Sequence, residues 1–222
     1  VPRTVTVQKA RLWSGLVLGL YVTSHLVNHA AGLVSLAAAE RTLEVFAAIW
    51  QSPPGTVLLY GGFLVHVALA FWMILQRRSL SMSFGEGIRL LAALLIPPLL
   101  FIHVVGSRLV ELQFGTEVGY RYMLAIYFEL APVFGWRQVA ILLLAWLHLC
   151  LGLHYWLRFR RWYASAAPWL LALAVLVPAA SLAGTLSAGR EVQALFADPA
   201  WADQRRALVE QIGDPAKLAF IG

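Results

Sequence analysis

Five stretches without a single Lys, Arg, Asp or Glu divide this 222-residue chain: 12–39, 45–76, 90–107, 138–157 and 162–189. A helix needs about 20 mostly apolar residues to cross a bilayer, and in the hydrocarbon core its backbone polar groups must be satisfied within the segment. Every stretch is near or above that length. The sequence therefore predicts an all-α membrane protein with five transmembrane helices, at roughly residues 12–35, 56–76, 89–108, 138–158 and 167–187. A mean hydropathy of +0.73 agrees. The first span is too long for a cleaved signal peptide, whose apolar core is only about 7–15 residues. A start at Val1, not Met, is expected of a trimmed chain or a fragment.

The charges that remain are sorted by side. Arg3, Lys9, Arg11, Arg77, Arg78, Arg89, Arg158, Arg160 and Arg161 fall on one side, against one acid, Glu86. The other eight basic and ten acidic residues fall on the opposite side. Basic clusters beside helix ends stay in the cytoplasm, which places the N-terminus inside. The net charge of +6 is thus a matter of orientation, and the "RFRRW" run at 158–162 reads as a signal beside anionic lipid; nucleic acid is not an expected partner. The single cysteine, Cys150, excludes a disulfide or a cysteine-held iron–sulfur cluster within the chain.

Five crossings put the C-terminus outside. Residues 1–188 form the membrane domain in this reading, and 189–222 an exported tail. Within the tail, "DPAWADQRRALVEQIG" has the marks of a short surface helix, with Asp198 as N-cap, Pro199 at the first position and Gly213 at the end. Apolar residues resume at "AKLAFIG", where a sixth membrane helix is expected to begin in the full protein. Between the third and fourth spans, Tyr120, Tyr122, Tyr127 and Trp136 are expected in the interfacial aromatic belt. Pro97 and Pro98 are expected to kink the third span.

All six histidines lie in the uncharged stretches: His25, His29, His66, His103, His148 and His154. Polar side chains at such depth are costly and need a partner. His25 is 14 residues from Arg11 and His103 is 14 from Arg89, so both lie about 21 Å from the cytoplasmic edge at ~1.5 Å per residue. His66 is 11 residues from Arg77 and His148 is 10 from Arg158, so both lie about 16 Å in. The level pairs sit on alternating helices, which are diagonal partners in a four-helix arrangement with the fifth helix peripheral. Two neutral imidazoles facing each other inside an apolar bundle are what a b-type haem iron takes as axial ligands. Gly62, Gly152 and Gly106 stand three or four residues from His66, His148 and His103, which leaves room for a flat ligand on the same helix face. His29, with Asn28, is left to hydrogen-bond a haem propionate, a quinone, a backbone carbonyl or a neighbouring helix. His154 is either a propionate or quinone contact or an interfacial residue. Arg108 and Arg158 are either propionate partners or topological anchors. Zinc fits less well, because no carboxylate or thiolate cluster accompanies the histidines. A proton channel fits less well too, since no span contains Asp or Glu. No nucleophile–base pair or phosphate loop is present, so no catalytic residue is expected.

The segments "SGLVLGLYVTSHLV", "FLVHVALA", "LLFIHVVGSRL" and "WLHLCLGLHYWL" resemble the four haem-bearing helices of the di-haem cytochrome b anchor of succinate:quinone and fumarate reductases. That resemblance implies that His25 and His103 ligate a distal haem and His66 and His148 a proximal one, with quinone as a further ligand. A second group is closer over nearly the whole chain. "RLWSGLVLGLYVTSHLVNHAAGLVSL", "SPPGTVLLYGGFLVH", "RRSLSM", "LHLCLGLHYWLRFRRWY" and "AGREV" look like the cytochrome-b-like membrane anchor of bacterial class III adenylate cyclases. It implies an inner-membrane receptor whose two haem b groups report redox or quinone state to cytosolic ferredoxin-like and cyclase domains of the same polypeptide, acting as a homodimer. The first resemblance implies instead a membrane subunit serving iron–sulfur and flavoprotein partners.

Overall fold

In the computed structural model the described residues are 2–77, 79 and 81–221, with side chains from residue 6 onward; the side chain of Arg3, and Arg78, both counted on the basic side, lie outside them. The described residues contain helices and turns and no strand. The long helices are α1 (Pro2–Ala31), α3 (Pro53–Leu75), α4 (Phe84–Val104), α7 (Pro132–Leu157) and α8 (Tyr163–Ala197). Between and after them stand the shorter α2 (Leu36–Trp50), α5 (Val110–Phe114), α6 (Tyr120–Ala125), α9 (Ala202–Ile212) and α10 (Pro215–Ile221).

Among the described residues, four segments are long and apolar enough to cross a membrane: Pro53–Leu75, Phe84–Phe114, Pro132–Leu157 and Tyr163–Ala197. Five were expected. The one that falls short is α1, which has 30 residues but carries His25, Asn28 and His29 in its last two turns. The same polar residues that make α1 interesting dilute its hydropathy.

Local chemistry sets the helix ends. Ser52 and Ser83 cap α3 and α4 by accepting from the backbone N–H of Gly55 and Glu86, and Glu86 returns the bond in a full capping box. Helix α4 continues through Pro97 and Pro98. It then passes into a π-turn at Val105–Leu109, directly after His103. A second π-turn, Ile126–Leu130, precedes α7. Such turns add a residue to the helical ladder and re-aim neighbouring side chains, often at functional sites.

Helix α1 packs against α3 and α8, while α4 packs against α7, and α7 also meets α8. The result is two helix pairs facing each other, with α8 at their flank. At Gly32 and Gly184 the backbones of α1 and α8 touch: a Cβ on Gly184 would collide with the His29 carbonyl, and one on Gly32 with the Gly184 carbonyl. No other residue type fits that crossing.

The densest packing is not inside the membrane half. Leu36, Ala39, Tyr120, Leu124, Ala125, Ala188, Val192 and Phe196 form one buried cluster where α2, α6 and the far end of α8 meet. Tyr120 and Tyr122 belong to this packed end and are buried, contrary to the expected interfacial placement, whereas Trp136 is exposed as expected. The reason is α2, unassigned in the sequence reading. Capped by Ser35, it lays Leu36, Ala39 and Trp50 inward and covers the connecting segment that would otherwise meet lipid. Helix α8 runs ten residues beyond its expected end at 187, and after it the tail follows the expected signals. Asp198 caps a short 3₁₀ turn at Pro199–Trp201 by accepting from Ala200 N–H, and α9 ends at Gly213.

Candidate haem-binding cavity

The space between the two helix pairs is a single cavity of about 1720 Å³. A site for one drug-sized ligand is about 300–1,000 Å³. This one is larger than that and only partly enclosed. It runs from Lys9 and Arg11 at one end to Val118 and Gly119 at the other, and His25, His29, His66, His103 and His148 all line it.

Helix geometry brings these histidines together in two pairs. His25 on α1 faces His103 on α4 with ring centroids 6.0 Å apart, at 61° between the ring planes. His66 on α3 faces His148 on α7 at 6.3 Å and 90°. With a metal–imidazole bond of about 2.0–2.1 Å and ring nitrogens about 1.1 Å from the ring centre, two imidazoles on opposite sides of one metal have centroids about 6.3 Å apart. Both pairs match that spacing. Gly15, beside His66, lies ten residues before His25 in the chain, so the pairs are separated by about 15 Å along α1.

The inner pair is oriented by backbone. His66 Nδ1 is 3.2 Å from the carbonyl of Arg11, and His148 Nδ1 is 3.2 Å from the carbonyl of Arg89. A carbonyl only accepts, so both bonds put the proton on Nδ1 and leave the Nε2 lone pair free. That is the arrangement by which metal-binding histidines are normally aimed. A Cβ on Gly15 would lie 3.0 Å from His66 Cε1, so a side chain there would press on the ring.

The outer pair sits in a richer hydrogen-bonding environment. His103 Nδ1 is 3.4 Å from the Tyr127 hydroxyl, which the second π-turn supplies. His29 Nδ1 lies 2.8 Å from the Tyr120 hydroxyl and 3.3 Å from Thr185 Oγ1 on α8. His29 Nε2 is 3.3 Å from His25 Nε2, a contact that would be given up if His25 held a metal through that nitrogen. Burial pushes the Tyr120 hydroxyl up to about 12, so it stays neutral beside His29.

Of the other anticipated residues, Arg108 lines the outer end of the cavity and bonds Gln51 and Glu111 at 3.0 and 2.9 Å. His154 is exposed and hydrogen-bonds Tyr163 at 2.7 Å, outside the cavity lining. Arg158 is likewise outside it, stacked on Tyr155 and Phe159. Gly152 lines the cavity and opens, like Gly106, on free space, whereas Gly62 packs against Val17. Two arginines missed by the sequence reading are in place instead. Arg11 and Arg89 line the inner end, and neither forms an ion pair among the described residues. Their proximity to helix ends had marked them only as topological charges.

The residues fit haem. Each pair would offer two imidazole nitrogens to a haem iron, so a cluster of three protein ligands would not be needed; among the described residues there is none. Comparison with protein families, with curated proteins and with solved structures returns no match.

Proposed function

We propose that this chain is a di-haem, cytochrome-b-like membrane domain, with His25 and His103 holding a distal haem b and His66 and His148 a proximal one. The observation that carries the reading is the spacing of the two facing imidazole pairs within one continuous cavity. When bound, haem supplies one-electron redox chemistry. The chain's own residues do the rest. The Arg11 and Arg89 carbonyls fix the tautomer of the inner histidines, and their side chains offer positive charge to the carboxylates of a proximal ligand. Arg108 offers the same at the outer end. The apolar walls exclude water, so the electron is held in a low-dielectric interior.

In this reading all five long helices cross the inner membrane of a bacterium, with the N-terminus in the cytoplasm. Although α1 is the least apolar of them, its polar residues face the cavity, where His25, Asn28 and His29 all line the wall. The domain serves as a receptor whose redox or quinone state biases a cytosolic class III adenylate cyclase on the same polypeptide, as the resemblance of its membrane segments implies. No residue of this chain is assigned a catalytic role.

Single replacements test the ligand assignment. His66→Ala and His148→Ala are each expected to remove the same haem, and His25→Ala and His103→Ala the other. The readout is the reduced-minus-oxidised optical spectrum with haem quantified per chain. Loss of different haems within one pair would overturn the pairing.

A further inference from the structure

One buried side chain at the outer end of the cavity has no hydrogen-bond partner among the described residues. Asn28 is only 1 % exposed, yet neither its Nδ2 nor its Oδ1 has a hydrogen-bond partner among the described residues. It lines the cavity, three residues after His25 on α1. A buried carboxamide with both ends unmet is expensive, because each group has given up water for nothing. Leu26, two residues earlier and also buried, shows that an apolar side chain is accommodated on this stretch of α1. His29, the next residue, has its own partners in Tyr120, Thr185 and His25, so it does not answer Asn28.

We infer that Asn28 is a ligand-binding residue, hydrogen-bonding an oxygen of a group seated in the outer chamber beside the His25–His103 pair. The inference rests on the di-haem reading for the identity of that neighbour. The oxygen belongs to a carboxyl of the distal haem or to the carbonyl or hydroxyl of a quinone next to it. The shared chemistry is the same: the amide N–H donates to an oxygen, and Oδ1 is open to a hydroxyl of the bound group or to water. Donation to a carboxylate spreads its negative charge and so favours the ferrous over the ferric state of the adjacent iron. The role is one of positioning and tuning; Asn28 is not an axial ligand.

The experiment is a potentiometric titration of the purified full chain, followed optically, for the wild type, Asn28→Leu and Asn28→Ser. Each is recorded in a His66→Ala background as well, where only the distal haem remains. Quinone is extracted first, and the titration is then repeated with added menaquinone. In quinone-free protein Asn28→Leu is expected to lower the ferrous-to-ferric ratio of the distal haem about tenfold at fixed potential, a shift of about 59 mV for a one-electron couple. Asn28→Ser, which keeps one hydroxyl, is expected to fall between. The proximal haem, unchanged in spectrum and potential, reports that the fold is intact. A shift seen only with menaquinone assigns the oxygen to quinone. If both variants keep the distal potential with and without quinone, while haem is retained, Asn28 binds nothing and the inference falls. If the wild type holds no haem, it is the di-haem reading itself that fails.

Discussion

His66 owes its position to three neighbours: the Arg11 carbonyl that accepts a hydrogen bond from its Nδ1–H, Ser14 with its hydroxyl 3.2 Å from the same nitrogen, and Gly15, which has no side chain to displace it. The glycine is the most sensitive of the three. Gly15→Val puts a branched carbon in tight contact with the imidazole, so the ring is pushed from its position opposite His148. Gly15→Val is expected to lower proximal haem content at least several-fold while leaving the distal haem in place, as read from haem per chain and the optical spectrum. Equal loss of both haems would point to misfolding instead. At this scale the histidines were legible because charge-free sequence makes each imidazole an anomaly, and residue counting from flanking arginines paired them as the structure does; the counted depths do not hold, since His66 and His148 lie level with Arg11 and Arg89, whose carbonyls they contact. Their orientation was not legible. A backbone carbonyl as hydrogen-bond acceptor leaves no trace in residue type, and Arg11 and Arg89 carried a sufficient explanation as cytoplasmic charges. Arg158 and His154 were left open between a cavity contact and a place at the membrane edge, and neither lines the cavity.

Among the elements, α8 has the closest seat. It meets α1 backbone to backbone at Gly32 and Gly184, within one residue of Thr185 and its contact with His29. Gly184→Val cannot be accommodated without parting the helices, and overpacking of this kind costs about 1–3 kcal/mol. The expected result is a lower thermal midpoint in detergent, together with a changed distal-haem spectrum and an unaffected proximal one. An unchanged midpoint would contradict the close approach. Helix α2 is held at both ends. Ser35 caps its start, Glu191 on α8 accepts from Leu36 N–H at 3.0 Å, and Trp50 donates to Ser24 on α1 at 3.0 Å. Ser35→Ala should cost about 1 kcal/mol, measurable as a smaller fall in the same midpoint. The long helices could be read from their uncharged runs. Helix α2 could not, because its apolar half is continuous in sequence with the span that follows, and hydropathy alone does not separate a surface helix from a membrane helix.

Across the whole molecule, a tightly packed end and a hollow half divide the work. The outer end, where α2, α6 and α8 converge, holds the buried apolar cluster. The other half holds the cavity, and α3 presents an apolar window with none of it buried within the protein, as a surface facing lipid requires. The proposed sidedness rests on charge. In a Cys150→Ser background, Gln8→Cys and Arg160→Cys are expected to react with a membrane-impermeant thiol reagent only from the cytoplasmic side, and Glu210→Cys only from the other. Reaction of Gln8→Cys and Glu210→Cys from the same side would mean that the five long helices do not all cross. The most direct test of the di-haem assignment remains the cofactor itself. The measurement is a reduced-minus-oxidised spectrum of detergent-purified protein, expressed with ample haem, with haem quantified per chain. Two b-type, low-spin haems per chain are expected; a protein that folds and holds none would contradict the assignment of both histidine pairs.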